Sequence, residues 1–108
     1  MDLEIAAKRL AELGNVTRLD IIRLLVRADR DGLIIGEIQN RLGIPASTLA
    51  FHLRGLVGAG LIHQIRDGRM VRCRPNMAAL NETLAFVSES CGVGVGPEHR
   101  GRRRGHIP

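Results

Sequence analysis

The chain has 108 residues, 44% hydrophobic and 2% aromatic, with a formal net charge of +5 and two cysteines. That length holds one small domain rather than two, burying roughly 65% of the surface its unfolded form exposes; many such domains complete their core by dimerising. No run of about 18 apolar residues occurs, the acidic start Met1-Asp2-Leu3-Glu4 argues against a secretory signal, and Cys73 and Cys91 are too few for a disulfide framework, so a reducing cytoplasm is the expected location.

Leu3, Ala6, Ala7, Leu10 and Leu13 recur at helical spacing and predict an amphipathic helix over 2–13. Gly14 ends it, and Asn15 is placed to cap the next helix. Ile21, Ile22, Leu24, Leu25 and Val26 make residues 16–28 a strongly apolar, central helix. Asp29-Arg30-Asp31-Gly32 is a polar break with turn chemistry. Ile35, Ile38 and Leu42 predict a short helix over 35–42 that stops at Gly43. Pro45 suits the first turn of a further helix running to Gly58, with Leu49, Leu53, Leu56 and Val57 on its buried face. The period then changes from helical to alternating. Residues 61–66 and 69–74 read as two strands joined by Asp67-Gly68. Met77, Leu80, Leu84, Val87 and Cys91 mark a last helix over 76–90, and residues 92–108 read as a flexible Gly- and Arg-rich tail. The expected fold is mainly α with a small β-hairpin, in the order α-α-α-α-β-β-α: a domain over 1–91, then the tail.

The positive charge is not spread evenly. Residues 1–37 carry six basic and seven acidic side chains, residues 38–74 carry six arginines against Asp67 alone, and residues 75–108 carry four arginines and three acids. Fifteen of the sixteen basic residues are arginine, whose planar fork suits phosphates and guanine edges. A localised basic block on a small domain points to a polyanion, most often nucleic acid.

That block coincides with a motif. The helix at 35–42, the Gly43 turn and the helix at 45–58 form a helix-turn-helix, whose second helix enters the DNA major groove. The surface left outside the leucine stripe comprises Ala46, Ser47, Thr48, Ala50, Phe51, His52 and Arg54. Ser47 and Thr48 can hydrogen-bond phosphates or bases, His52 and Arg54 can contact backbone or bases, and Phe51 can meet a thymine methyl. The hairpin beside it has the tip Arg66-Asp67-Gly68-Arg69. Arg72 and Arg74 continue along one face, with Val71 and Cys73 on the other. Such a hairpin is a wing that reaches phosphates or the minor groove. The candidate DNA-contacting set is therefore Gln39, Ser47, Thr48, Phe51, His52, Arg54, Arg66, Arg69 and Arg72, with double-stranded DNA the partner and no membrane. The chain has no Ser/His/Asp set, paired-carboxylate cleft, phosphate-cradling glycine loop or metal-ligand cluster, so an enzyme is not expected. A winged-helix protein-interaction module without DNA binding is the alternative.

Leu13-Gly14-Asn15-Val16-Thr17-Arg18-Leu19-Asp20-Ile21-Ile22-Arg23-Leu24-Leu25, then Leu42 through Leu56 with its Thr48-Leu49-Ala50-Phe51-His52-Leu53 stretch, then Ala59-Gly60-Leu61-Ile62 and Asp67-Gly68-Arg69 together resemble the ArsR/SmtB winged helix-turn-helix repressors over about residues 5–90. The chain departs from that pattern at Ala50, where many members carry serine. The resemblance implies a homodimer held by the first and last helices, through Leu3, Ala7, Leu10, Met77, Leu80, Leu84 and Val87. It also implies a near-palindromic operator released by an inducer, with half-sites roughly 34 Å apart.

The resemblance bears on the inducer too. The family's Cys-x-Cys site on the short helix and its Asp/His site on the last helix both lack their ligands here. The cysteine that persulfide-sensing members carry on the second helix is also absent. Cys91, after Ser88-Glu89-Ser90, resembles part of an arsenic-sensing site, with Gly92 where a second cysteine would stand. No cofactor is assigned, and arsenite is the candidate ligand. Cys91 keeps three readings: an inert apolar residue near the dimer interface, a redox-responsive thiol, or an arsenical site completed by His99 or a second subunit. Cys73 reads as strand packing, and His63, His99 and His106 as solvated. The Arg102-Arg103-Arg104 run reads as a charged tail that adds nonspecific DNA attraction.

Overall fold

The computed structural model describes residues 1–89 and 91–95. Five helices and three strands follow in the order α1 (Leu3–Leu13), α2 (Val16–Arg27), β1 (Leu33–Ile34), α3 (Ile35–Leu42), α4 (Ala46–Gly58), β2 (Ile62–Asp67), β3 (Met70–Pro75) and α5 (Met77–Ser88). The strands form one antiparallel sheet in the order β1-β3-β2.

Local chemistry sets most of the boundaries. The Asp2 side chain accepts from the Glu4 N–H at 2.8 Å to start α1. Asn15 accepts from the Arg18 N–H at 3.0 Å to start α2, and Asn76 from the Ala79 N–H at 3.1 Å to start α5. Each cap satisfies an amide that the helix itself leaves orphaned. Gly43 ends α3 in the left-handed region, φ 65°, with its N–H on the Gln39 carbonyl at 2.8 Å. Pro45 is the N-cap residue of α4 rather than part of its first turn.

The core is a single cluster. Ile21, Ile22, Leu24 and Leu25 of α2 meet Ile38 of α3, Leu49, Leu53 and Leu56 of α4, and Leu61, Ile62 and Cys73 of the sheet. Ala6, Ala79 and Thr83 close α1 and α5 over it. Arg9 ties that corner: its Nε donates to the Ala59 carbonyl at 3.2 Å, and its Nη1 pairs with Glu82 at 3.1 Å and reaches Thr83 Oγ1 at 3.4 Å.

Three sequence expectations change. First, the β part is a three-stranded sheet, because Leu33 pairs with Cys73 and Ile34 with Arg72. Gly32 permits this approach: its φ is 75°, and a Cβ there would collide with the Cys73 carbonyl oxygen. Second, Asp67 pairs with Met70, so the hairpin loop is Gly68-Arg69, one residue later than Asp67-Gly68. Gly68 supplies the positive φ of 64° that a two-residue loop needs at its first position. Third, the last helix stops at Ser88 and leaves Cys91 beyond its end. The tail expected over 92–108 lies, from residue 96 onward, outside the described residues, and with it His99, His106 and Arg102–Arg104.

Candidate nucleic-acid interface

α4 presents two sides set by its sequence spacing. Leu49, Leu53 and Leu56 are fully buried, while Ala46, Ser47, Thr48, Ala50, Phe51 and Arg54 are exposed. Phe51 leaves 60% of its surface accessible, an unusual position for one of only two phenylalanines in the chain. No side chain caps the N-terminus of α4, because Pro45 occupies that position. The amides of Ala46, Ser47 and Thr48 therefore start the helix without an intrahelical acceptor, and they carry the positive end of its dipole. Helix N-termini with these properties bind phosphate.

His52 departs from the outward placement expected for it. It is half-buried, and its Nδ1 lies 3.3 Å from Arg18 Nη1 of α2. Phe51 and His52 rings meet edge to face, with centroids 5.4 Å apart. Gln39, on α3, is half-buried, and its carbonyl receives the Gly43 N–H at the turn.

The wing arginines divide by strand register. Arg66 pairs with Val71, and its neighbour Gln64 pairs with Cys73, so Arg66 shares their face of the ribbon. Arg72 pairs with Ile65 and Arg74 with His63 on the opposite face, as the alternation predicts. Arg69 stands in the loop and is exposed. Arg72 leans to Asp67 at 3.4 Å, and it lines a cleft of about 510 Å³ between α2, β1 and α3 that also holds Arg27, Glu37 and Arg41. Arg74 reaches Asp31, with Nη2 3.8 Å from Oδ1. The exposed tip thus brings Arg66 and Arg69 together, while Arg72 belongs to the root of the wing.

The outer sides of α1 and α5 are apolar and uncovered. Leu3, Ile5, Leu10, Met77, Leu84 and Val87 are exposed, as is Ala7. Leu80 differs from the rest of the expected interface set, since it is half-buried and packs on the core. Ile5 is exposed as well, but helical spacing puts it on the other flank of α1 from Leu3, Ala7 and Leu10, across the buried Ala6.

The two cysteines have opposite environments. Cys73 is fully buried, and burial pushes its thiol above the ordinary value of 9.0 despite a hydrogen bond from Gln64 Nε2 at 3.7 Å. Cys91 is exposed. Among the described residues, no three His, Cys, Asp or Glu side chains gather to hold a metal ion. No described helix is long and apolar enough to cross a membrane.

Comparisons with known proteins agree with this geometry. A family model described as "Helix-turn-helix domain" matches residues 13–65, from the end of α1 to β2. An ArsR-like transcriptional regulator from Rhodococcus sp. RHA1 is 31% identical and superposes with a TM-score of 0.72, covering 92% of this chain and 86% of that one. The nodulation protein NolR of Rhizobium meliloti is 29% identical over 91 residues, 84% of this chain and 72% of its own length. A homodimeric winged helix-turn-helix DNA-binding domain from Mycobacterium bovis, 21% identical, shares the fold with a TM-score of 0.65 over 87% of this chain and 88% of its own. With the helix-turn-helix, the sheet that forms its wing and this likeness along nearly the whole chain, the protein belongs to the ArsR/SmtB family of winged helix-turn-helix transcriptional regulators, DNA-binding proteins rather than enzymes.

Proposed function

We propose that the protein is a homodimeric repressor that binds a near-palindromic operator and leaves it when an inducer binds. The observation that carries the reading is the uncapped N-terminus of α4. Its free amides lie beside exposed Ser47, Thr48, Phe51 and Arg54, with Arg66 and Arg69 at the wing tip. In this reading Ser47, Thr48 and Arg54 meet base edges or phosphates, Phe51 meets a thymine methyl, and the wing arginines hold backbone phosphates. Gln39 and Arg72 contribute from α3 and the wing root. The exposed apolar residues of α1 and α5 support a two-fold dimer, and the Mycobacterium bovis relative is itself homodimeric. A two-fold dimer sets two copies of α4 about one helical turn of DNA apart, roughly 34 Å.

The inducer in this reading is thiophilic, with arsenite the test compound. Of the two thiols only Cys91 is exposed, three residues past the end of α5. One Cys91 per chain supplies one thiolate, so an arsenical site with two thiolates draws on both subunits. A second reading, release by oxidation of Cys91, rests on the same exposure.

Fluorescence anisotropy with the protein's own upstream promoter DNA, with and without stoichiometric arsenite under reducing conditions, tests both levels. Selective binding that arsenite weakens tenfold or more, about 1.4 kcal/mol, supports the full reading. Selective binding indifferent to arsenite keeps the repressor and moves the inducer to oxidants. Binding without sequence preference favours a protein-interaction module and overturns the operator reading.

A further inference from the structure

The corner where α1 turns into α2 meets the recognition helix through Glu12, Arg18, Gly55 and His52, of which only His52 belongs to the DNA-contacting set. Arg18, near the start of α2, donates from Nε to the main-chain carbonyl of Glu12 at 2.7 Å. The same Nε lies 3.2 Å from the Glu12 carboxylate. That carboxylate rests on Gly55 in the middle of α4. A Cβ at residue 55 would collide with Glu12 Oε1 and lie 3.1 Å from Cδ, so a side chain there would push the carboxylate off this seat. From this anchored position Arg18 extends Nη1 to within 3.3 Å of His52 Nδ1. Both ionic side chains are mostly shielded, Arg18 at 17% and Glu12 at 25% exposed.

Chemistry fixes the direction of the last contact. A guanidinium has five N–H donors and no acceptor, and it stays protonated in proteins. Its partner Nδ1 must therefore be the unprotonated nitrogen of the ring. A neutral imidazole with a bare Nδ1 carries its proton on Nε2.

We propose that Arg18 is a positioning residue for DNA recognition: it holds His52 as the neutral Nε2–H tautomer and, with Glu12 seated on Gly55, fixes α4 against the α1–α2 corner. His52 then offers DNA a hydrogen-bond donor of defined direction. That donor suits a phosphate oxygen, or the N7 and O6 acceptors of guanine in the major groove. The inference rests on α4 being the helix that meets DNA, but the state of the ring is a property of the free protein. The corner also links α1, on the exposed apolar side of the molecule, to α4, so a shift of α1 reaches the DNA-facing helix through side chains already in contact.

Long-range nitrogen–proton NMR of the full chain, labelled with nitrogen-15 and free of DNA at neutral pH, reads the tautomer. The expected result is a bare Nδ1 and a protonated Nε2 at His52, collapsing to a mixture of tautomers in R18M. Against the upstream promoter DNA, R18M is expected to bind about tenfold more weakly, the size of one charge-assisted hydrogen bond. H52Q, whose amide nitrogen stands where Nε2 does, is expected to bind within about threefold of the native chain, while H52N loses about tenfold. Should R18M fail to fold, R18K keeps the charge without the fork and is expected to loosen the tautomer in the same direction. A protonated Nδ1 in the native chain, or an R18M chain whose tautomer is unchanged, overturns the proposal. If the native chain binds no DNA while His52 shows the expected tautomer, the reading of α4 fails and the Arg18 contact stands.

Discussion

Single side chains carry the chemistry of this molecule, and their surroundings decide what each can do. Gly55 costs α4 about 1 kcal/mol relative to alanine. Its place in α4 is explained by the Glu12 carboxylate that would otherwise be displaced. Cys73 gives a pH prediction with a definite sign. Burial raises its folded pKa, so below the ordinary thiol value of 9.0 both states are protonated and it contributes nothing to pH dependence. Above that value the unfolded chain ionises first and binds fewer protons than the folded one. Stability then falls as pH rises. Urea unfolding from pH 8 to 10.5 is expected to show this decline in the native chain and a flatter one in C73A. Arg69 gives a second prediction. R69A is expected to weaken binding to all DNA sequences alike and to make the salt dependence shallower by about one unit of log–log slope. Anisotropy titrations at several salt concentrations measure this, and a selective loss at one base pair would show that Arg69 reads bases instead.

At the scale of elements, turns and caps outweigh propensity. Gly43 holds the left-handed geometry that redirects the chain from α3 into α4, and a side chain there would have open space. The penalty for G43A is therefore backbone strain alone, about 1–2 kcal/mol, visible as a lower midpoint in urea with an unchanged slope. The hydrophobic spacing located all five helices to within a residue or two, because Leu49, Leu53 and Leu56, or Ile21, Ile22 and Leu25, repeat within one turn of each other. The same reasoning missed β1. Leu33 and Ile34 are strand residues only because Cys73 and Arg72, about forty positions later, pair with them. It also placed the hairpin loop one residue early. Both Asp67-Gly68 and Gly68-Arg69 are compatible with the local sequence, and the pairing of Ile62 with Pro75 sets the register.

On the scale of the whole molecule, the uncovered apolar side of α1 and α5 is the feature a monomer least explains. Val87 is 61% and Leu84 53% exposed on one helix, Val87 one turn beyond the buried Thr83 and Leu84 beside it. Glutamates at both positions leave the core untouched, so L84E/V87E is expected to stay folded and to sediment as a monomer. Promoter affinity is expected to drop by more than tenfold, since one copy of α4 then meets one half-site. A double variant that still sediments as a dimer would move the interface elsewhere. Leu80 is unsuited to this test, because it packs on the core and its replacement would cost stability.

The sequence alone determined the order of helices, the leucine stripe of α4, the uneven charge and, through Leu13–Leu25 and Leu42–Leu56, the likeness to a family of regulators. These are short-range properties: periodicity, capping and composition are written in neighbouring residues. Tertiary structure alone decided that Arg66 lies on the opposite face of the wing from Arg72 and Arg74. It also decided that His52 turns toward Arg18 and that Gly55 seats a carboxylate from α1. Each of these depends on residues brought together from distant parts of the chain. Such contacts arise from packing, and packing has no period that a single sequence can display.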